Sequence, residues 1–191
     1  VDIVIAQGYE AGGHTGEIAS LVLWPEIVDA LGDSAAVLAA GGVGSGRQVA
    51  AALALGASGV WMGSYWLTTA EYKLGAAAHG PSSIQRALLA ASSSDTVRSR
   101  IYSGKPARLL KTKWTEAWAK PDAPEPLPMP LQNILVSEAH QRMSAADDPE
   151  VVAMPVGQVV GRMNEIRPVA DIMADLIRGY EDAVDRLNEA R

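Results

Sequence analysis

The sequence predicts an α/β fold with a parallel sheet. Three observations carry that reading. Short apolar runs alternate with helical patterns through the first ~75 residues, strands recur roughly every 25 to 35 residues, and each strand runs directly into a glycine-bearing loop.

Val1 to Ala6 (VDIVIA) is short, apolar and rich in β-branched residues, as in a buried parallel strand. Gln7 to Gly16 (QGYEAGGHTG) reads as the loop that follows it. A helical pattern begins at Trp24-Pro25-Glu26 and runs to Leu31. Pro25 suits a first turn, where a missing N–H costs nothing, and Gly32 suits a stop. Ala36 to Ala40 is a second buried strand. Gly41 to Gly46 (GGVGSG) is its loop, and Ser45 is placed to cap a helix over Gly46 to Leu55 that ends at Gly56. Val60 to Met62 lies in a third strand, GVWM, ended by Gly63-Ser64, with a helix expected around Tyr65 to Leu74. A closed barrel of this rhythm takes eight strands and about 250 residues. Three strands are clear here, and Val1 opens directly into the first, so the expectation is a chain cut inside a domain, with the earlier strands missing.

Beyond the third unit the pattern changes. Ile84 to Ala91 reads as a helix, Thr96 to Tyr102 as extended, and Ser103 to Arg108 (SGKPAR) as a turn. Lys120 to Pro130 is Pro-rich and reads as an extended surface linker. Pro168 to Leu187 has Val169, Ile172, Met173, Leu176 and Ile177 at helical spacing and predicts an amphipathic helix. The chain thus divides into a barrel part (1–110), a Pro-rich linker (111–135) and a helical region (136–191) expected to pack on the barrel.

Composition excludes several classes. Hydrophobic residues make up 48%, charged residues 20%, and the net charge is -6, which fits a soluble globular domain and argues against nucleic-acid binding by bulk electrostatics. The absence of cysteine removes disulfides, thiolate metal sites and cysteine nucleophiles. No apolar stretch is long enough to span a membrane and no leader of the usual layout is present, so the expectation is a cytoplasmic protein. Three histidines with no i, i+4 pair argue against zinc.

Three strand ends carry the candidate chemistry. In the loop after the first strand, Gly12 and Gly13 let backbone approach a flat or charged ligand, and His14 is able to exchange protons near neutral pH. Spacing alone leaves His14 open between that role and an exposed loop residue. Gly41, Gly42, Gly44 and Gly46 form a strand-to-helix loop of the kind that presents backbone N–H groups to an anion; a tight turn is the plainer reading. Gly63-Ser64 ends the third strand in the same way. Two consecutive glycine-bearing strand ends, each followed by a helix, fit the phosphate site common in barrels of this class.

The segments QGYEAGGHTG, AAGGVGSGRQVAAALALGASGVWMGSYWL and SGKPAR together resemble the nitronate monooxygenase family, closely over residues 1 to 110 and more loosely beyond. The resemblance implies the C-terminal part of an FMN-binding (β/α)8 TIM barrel with a helical C-terminal region. It implies that Gln7, Gly12 and Gly13 line the flavin and that His14 is the catalytic histidine. By the same resemblance Gly42, Met62, Gly63 and Ser64 hold the FMN phosphate. The implied reaction oxidises alkyl nitronates to a carbonyl compound and nitrite with oxygen. Ser64 stands where the family more often has Thr, which keeps the hydroxyl; Tyr65-Trp66 departs from the usual pair and leaves the small-molecule substrate open. An NAD(P)H-dependent flavin reductase on the same scaffold is the close alternative, and an inactive half barrel is another. The remaining candidates read as structural. Glu10 is expected to hold loop backbone, and Trp61 to pack inside the barrel. Arg47, His79 and His140 are expected at the surface, and Arg100, Lys105 and Arg108 to be solvated. Trp114 and Trp118 share a face if their segment is helical.

Overall fold

A computed structural model describes residues 1–73 and 80–190. The parallel sheet is present, with order β1-β3-β4, where β1 is Ile3–Gln7, β3 Ala36–Ala40 and β4 Gly59–Trp61. Register runs from Ile3 opposite Ala36 to Gln7 opposite Ala40, so Gln7 belongs to the strand and does not open the loop. The residues preferred in this sheet are small or β-branched, because helices cover one face. Helix α1 (Ser20–Leu31) follows β1, and α2 (Gly46–Ala54) follows β3. Ala6, Trp24, Val37, Ala39, Val43, Ala52 and Ala57 form the cluster between sheet and helices. The opposite face of the sheet is open among the described residues: Ile3, Ile5 and Trp61 are 58, 42 and 54% exposed, and the packing expected of Trp61 is not made within this chain.

Helix α1 begins earlier than the sequence predicts, at Ser20, and Pro25 lies inside it. The indole of Trp24 explains why the interior proline is tolerated. It is buried, and its Nε1–H donates to both Ala6 O and Ala40 O at 3.1 and 3.2 Å. That anchor and the burial of the ring offset the backbone hydrogen bond that proline removes. Ser45 caps α2 as expected, its side chain accepting from the Gln48 N–H. After β4 the chain makes a short 3₁₀ turn, Ser64–Thr68, where a longer helix was expected; the end of that expected helix, and His79, lie outside the described residues.

The second half is organised by an antiparallel sheet in the order β2-β6-β5 (β2 Gly13–His14, β5 Thr96–Ser99, β6 Ala107–Leu110). Strand β6 takes in the end of the segment read as a turn. It is buried along its whole length and pairs on one side with β5 and on the other with β2. Arg108 is therefore 4% exposed, not solvated, whereas Arg100 and Lys105 are exposed as expected. Its guanidinium donates to Tyr9 O and Thr96 Oγ1 and lies over the Tyr9 ring, 4.7 Å from its centroid. These partners satisfy a cation that burial would otherwise penalise.

Helix α3 (Ser83–Ala90) starts with a capping box between Ser82 and Gln85. Leu88 on α3 packs with Leu110, Val152, Val156, Val159, Val160 and Met163 in the second apolar cluster. Helix α4 (Lys113–Trp118) lies within the stretch read as a linker, and its two tryptophans meet edge-to-face at 5.7 Å. Residues 120–130 form neither helix nor strand. Helix α5 spans Leu131–Ala146, and α6 spans Val169–Glu189 and packs on α2. His140 of α5 is half-buried, not at the surface. It stacks on Tyr102 at 5.1 Å, and burial pushes its pKa below the usual imidazole value.

Candidate active site

The C-terminal ends of β1, β3 and β4 open into one cleft of about 310 Å³. Six of the residues that the resemblance assigns to the flavin line it, Gln7, Gly12, Gly42, Met62, Gly63 and Ser64, together with Gly41 of the same loop. They come together because parallel strands in register end at the same level, so each following loop starts on the same rim.

Gly42 has φ +73°, a left-handed conformation that side chains resist, and a Cβ there would stand 3.1 Å from Glu10 Cγ. Glycine thus lets this loop turn above its strand while Glu10 passes close by. Glu10 itself accepts a 3.0 Å hydrogen bond from the Ser20 N–H, the structural role expected of it. Among the described residues, the backbone N–H groups of Gly42, Gly63 and Ser64 have no protein acceptor. Three backbone donors without a protein acceptor, set together on one part-exposed cleft, are the local chemistry of an anion site.

Gln7 holds the first loop. Its side-chain amide donates to Gly12 O at 3.3 Å and to His14 O at 2.9 Å. The loop is also tied down from outside. Gly13 and His14 pair with Arg108 and Ala107 of β6, and Arg98 donates to Thr15 while forming an ion pair with Glu17. Gly13 and His14 are not among the residues lining the cleft itself; they form β2 beside it. His14 is exposed, and its Nε2 lies 2.5 Å from Ser103 Oγ.

Sequence reasoning missed the far wall. Pro155, Gly157 and Val159 complete the cleft from a segment more than ninety residues beyond Gly63. The Gly157 N–H donates to Ser64 Oγ at 2.9 Å, and the Gln158 N–H donates to Glu10 O at 2.9 Å. The approach is close: a Cβ on Gly12 would come within 2.7 Å of the backbone of Val156 and Gly157. The only signal for this in the sequence was the Gly157-Gln158 pair, which carries no motif of its own.

The chain matches the family model described as nitronate monooxygenase over residues 1–179. It is 51% identical over 98% of its length to a Mycobacterium tuberculosis protein named "Putative monooxygenase Rv1533". It is 32% identical over 93% of its length to a Staphylococcus aureus protein named "Probable nitronate monooxygenase". The chain spans about half the length of these curated relatives. Among solved structures it resembles nitroalkane oxidase from Streptomyces ansochromogenes, with a TM-score of 0.83, 30% identity, and 98% of this chain and 54% of that one covered. It also resembles FabK from Thermotoga maritima, with a TM-score of 0.79, 31% identity, and 100% and 58% covered. The fold is accordingly part of a TIM barrel with a helical C-terminal region, and the chain belongs to the nitronate monooxygenase family.

Proposed function

We propose that the protein carrying this chain is an FMN-dependent oxidoreductase that converts alkyl nitronates to a carbonyl compound and nitrite with oxygen. The observation that carries the reading is the cleft at three parallel strand ends, with the unmade N–H groups of Gly42, Gly63 and Ser64 on its wall.

Those residues fit the phosphate of FMN. Gly63 has nothing within 4 Å of the position a Cβ would take, so the space on that side of its backbone is open, and Ser64 keeps a hydroxyl proton to donate while its oxygen accepts from Gly157. Met62 and the Gly12–Gly13 loop would lie along the flavin, with Gln7 fixing that loop. When bound, FMN supplies the electron acceptor for nitronate oxidation. His14 takes the proton from a neutral nitroalkane, or holds the anionic nitronate that arrives already deprotonated. The small-molecule substrate enters beside His14, on the exposed side of β2.

The likeness to FabK, together with the fold shared with an enoyl reductase domain of MlnA, supports an NAD(P)H-dependent reductase as the second reading. An anaerobic absorbance spectrum separates the two. Loss of the flavin bands on adding ethyl nitronate alone supports the oxidase reading. Loss with NADPH alone moves the assignment to the reductase. Absence of flavin bands after incubation with FMN defeats both.

A further inference from the structure

The catalytic role given to His14 leaves open which ring nitrogen takes the proton, and the loop between β5 and β6 answers it. Ser103, on that loop, is 2% exposed, and its Oγ is 2.5 Å from His14 Nε2. The Lys105 N–H also points to Ser103 Oγ, at 3.4 Å. Among the described residues His14 Nδ1 has no hydrogen-bond partner, and the imidazole is exposed. The loop is held rigidly. The Gly104 N–H donates to Arg100 O at 2.8 Å, and the fully buried Gln132 of α5 donates from Nε2 to Ile101 O at 2.8 Å. Ser103 occupies Nε2, so Nδ1 is the nitrogen left to meet a substrate; a hydroxyl can accept as well as donate, and base action at Nδ1 requires that Ser103 Oγ accept Nε2–H.

We propose that Ser103 is the positioning residue for His14. Its Oγ accepts Nε2–H, which places the free lone pair on Nδ1. In the reaction step, Nδ1 takes the proton from the carbon bearing the nitro group. The C–H electron pair moves into the C–N bond, the nitro oxygens take the charge, and the products are nitronate and imidazolium. The imidazolium keeps its Nε2–H bonded to Ser103. The proposal rests on His14 acting as the base, and it adds a residue that the sequence motifs placed in a turn without a role.

The test uses the purified protein, in the longest form its gene encodes, loaded with FMN. Ser103→Ala is expected to lower kcat with nitroethane about tenfold, the scale of one net hydrogen bond, with KM and flavin content little changed. Ser103→Thr restores the rate, and the loss in Ser103→Ala is smaller with ethyl nitronate, which needs no deprotonation. In a His14→Ala background the Ser103→Ala change has no further effect, because residues acting through one another are not additive. Independently of turnover, ¹H–¹⁵N correlation of the imidazole is expected to show His14 protonated at Nε2 in the parent and as a tautomer mixture in Ser103→Ala. An unchanged tautomer, or an equal rate loss with nitronate, overturns the proposal. Failure of the flavin to respond to nitroethane or nitronate, with the tautomer changing as expected, overturns the proposed reaction and leaves the Ser103–His14 coupling standing.

Discussion

In the parallel sheet each strand is followed within a few residues by the loop that lines the cleft. The antiparallel sheet instead draws β2 from residues 13–14 and β5 and β6 from residues 96–110. The two regions divide the work of the site. The first supplies one wall, with Gly42, Gly63 and Ser64 at its strand ends. The second supplies the far wall and the partner of the histidine, Gly157 and Ser103. Local sequence order builds the first region, whereas long-range packing builds the second. Perturbing the second should therefore disturb ligand binding through the fold, and perturbing the first should disturb it directly.

The largest expected effect tests that difference. Leu88 is fully buried against Val156, Val159 and Val160, the residues that carry Gly157 to the cleft. Leu88→Ala is expected to cost about 2–5 kcal/mol in chemical denaturation and to reduce FMN retention at the same time. Retention unchanged at that cost would show that the wall does not depend on this cluster. Next, His14→Ala should cut turnover of neutral nitroalkanes by about a hundredfold while flavin stays bound, as for the loss of a general base. Loss of FMN with normal activity per remaining flavin would make His14 structural.

A smaller and purely local effect is expected at Gly63. Since a Cβ there meets no protein atom, Gly63→Val should fold normally yet hold FMN about tenfold more weakly, on the scale of one or two lost hydrogen bonds. Equal FMN content in a stable variant removes Gly63 from the phosphate site. The smallest effect belongs to His140. Burial lowers its pKa in the folded chain, so between the folded and the ordinary value the unfolded chain binds more protons. Stability is therefore full above the ordinary imidazole range and falls as pH drops through it. His140→Phe keeps a ring against Tyr102 and should flatten that dependence in melting temperatures measured from pH 8 to pH 5.

The difference between the regions also explains what was legible in the sequence. The three parallel strands, α2 with its Ser45 cap, and six of the cleft residues follow from runs and glycines a few positions apart. Strand β6 was not legible. Arg108 interrupts its apolar pattern, and only Tyr9, ninety-nine residues earlier, supplies the carbonyl and the ring that make its burial tolerable. The start of α1 was obscured by Pro25, whose cost is met by Trp24 reaching two strands at once. Trp61 was read as packed because an apolar residue in a strand usually is; the face it lies on is open among the described residues. Ser103 sat in a motif, but its contact with His14 spans eighty-nine positions and has no periodicity to announce it.

An FMN phosphate seated on the backbone donors of the parallel strand ends is read out by amide ¹H–¹⁵N spectra of the protein recorded with and without FMN. The resonances of Gly42, Gly63 and Ser64 are expected to move downfield together as FMN is added, because each N–H gains an anionic acceptor. FMN binding with those three amides unmoved would place the phosphate elsewhere.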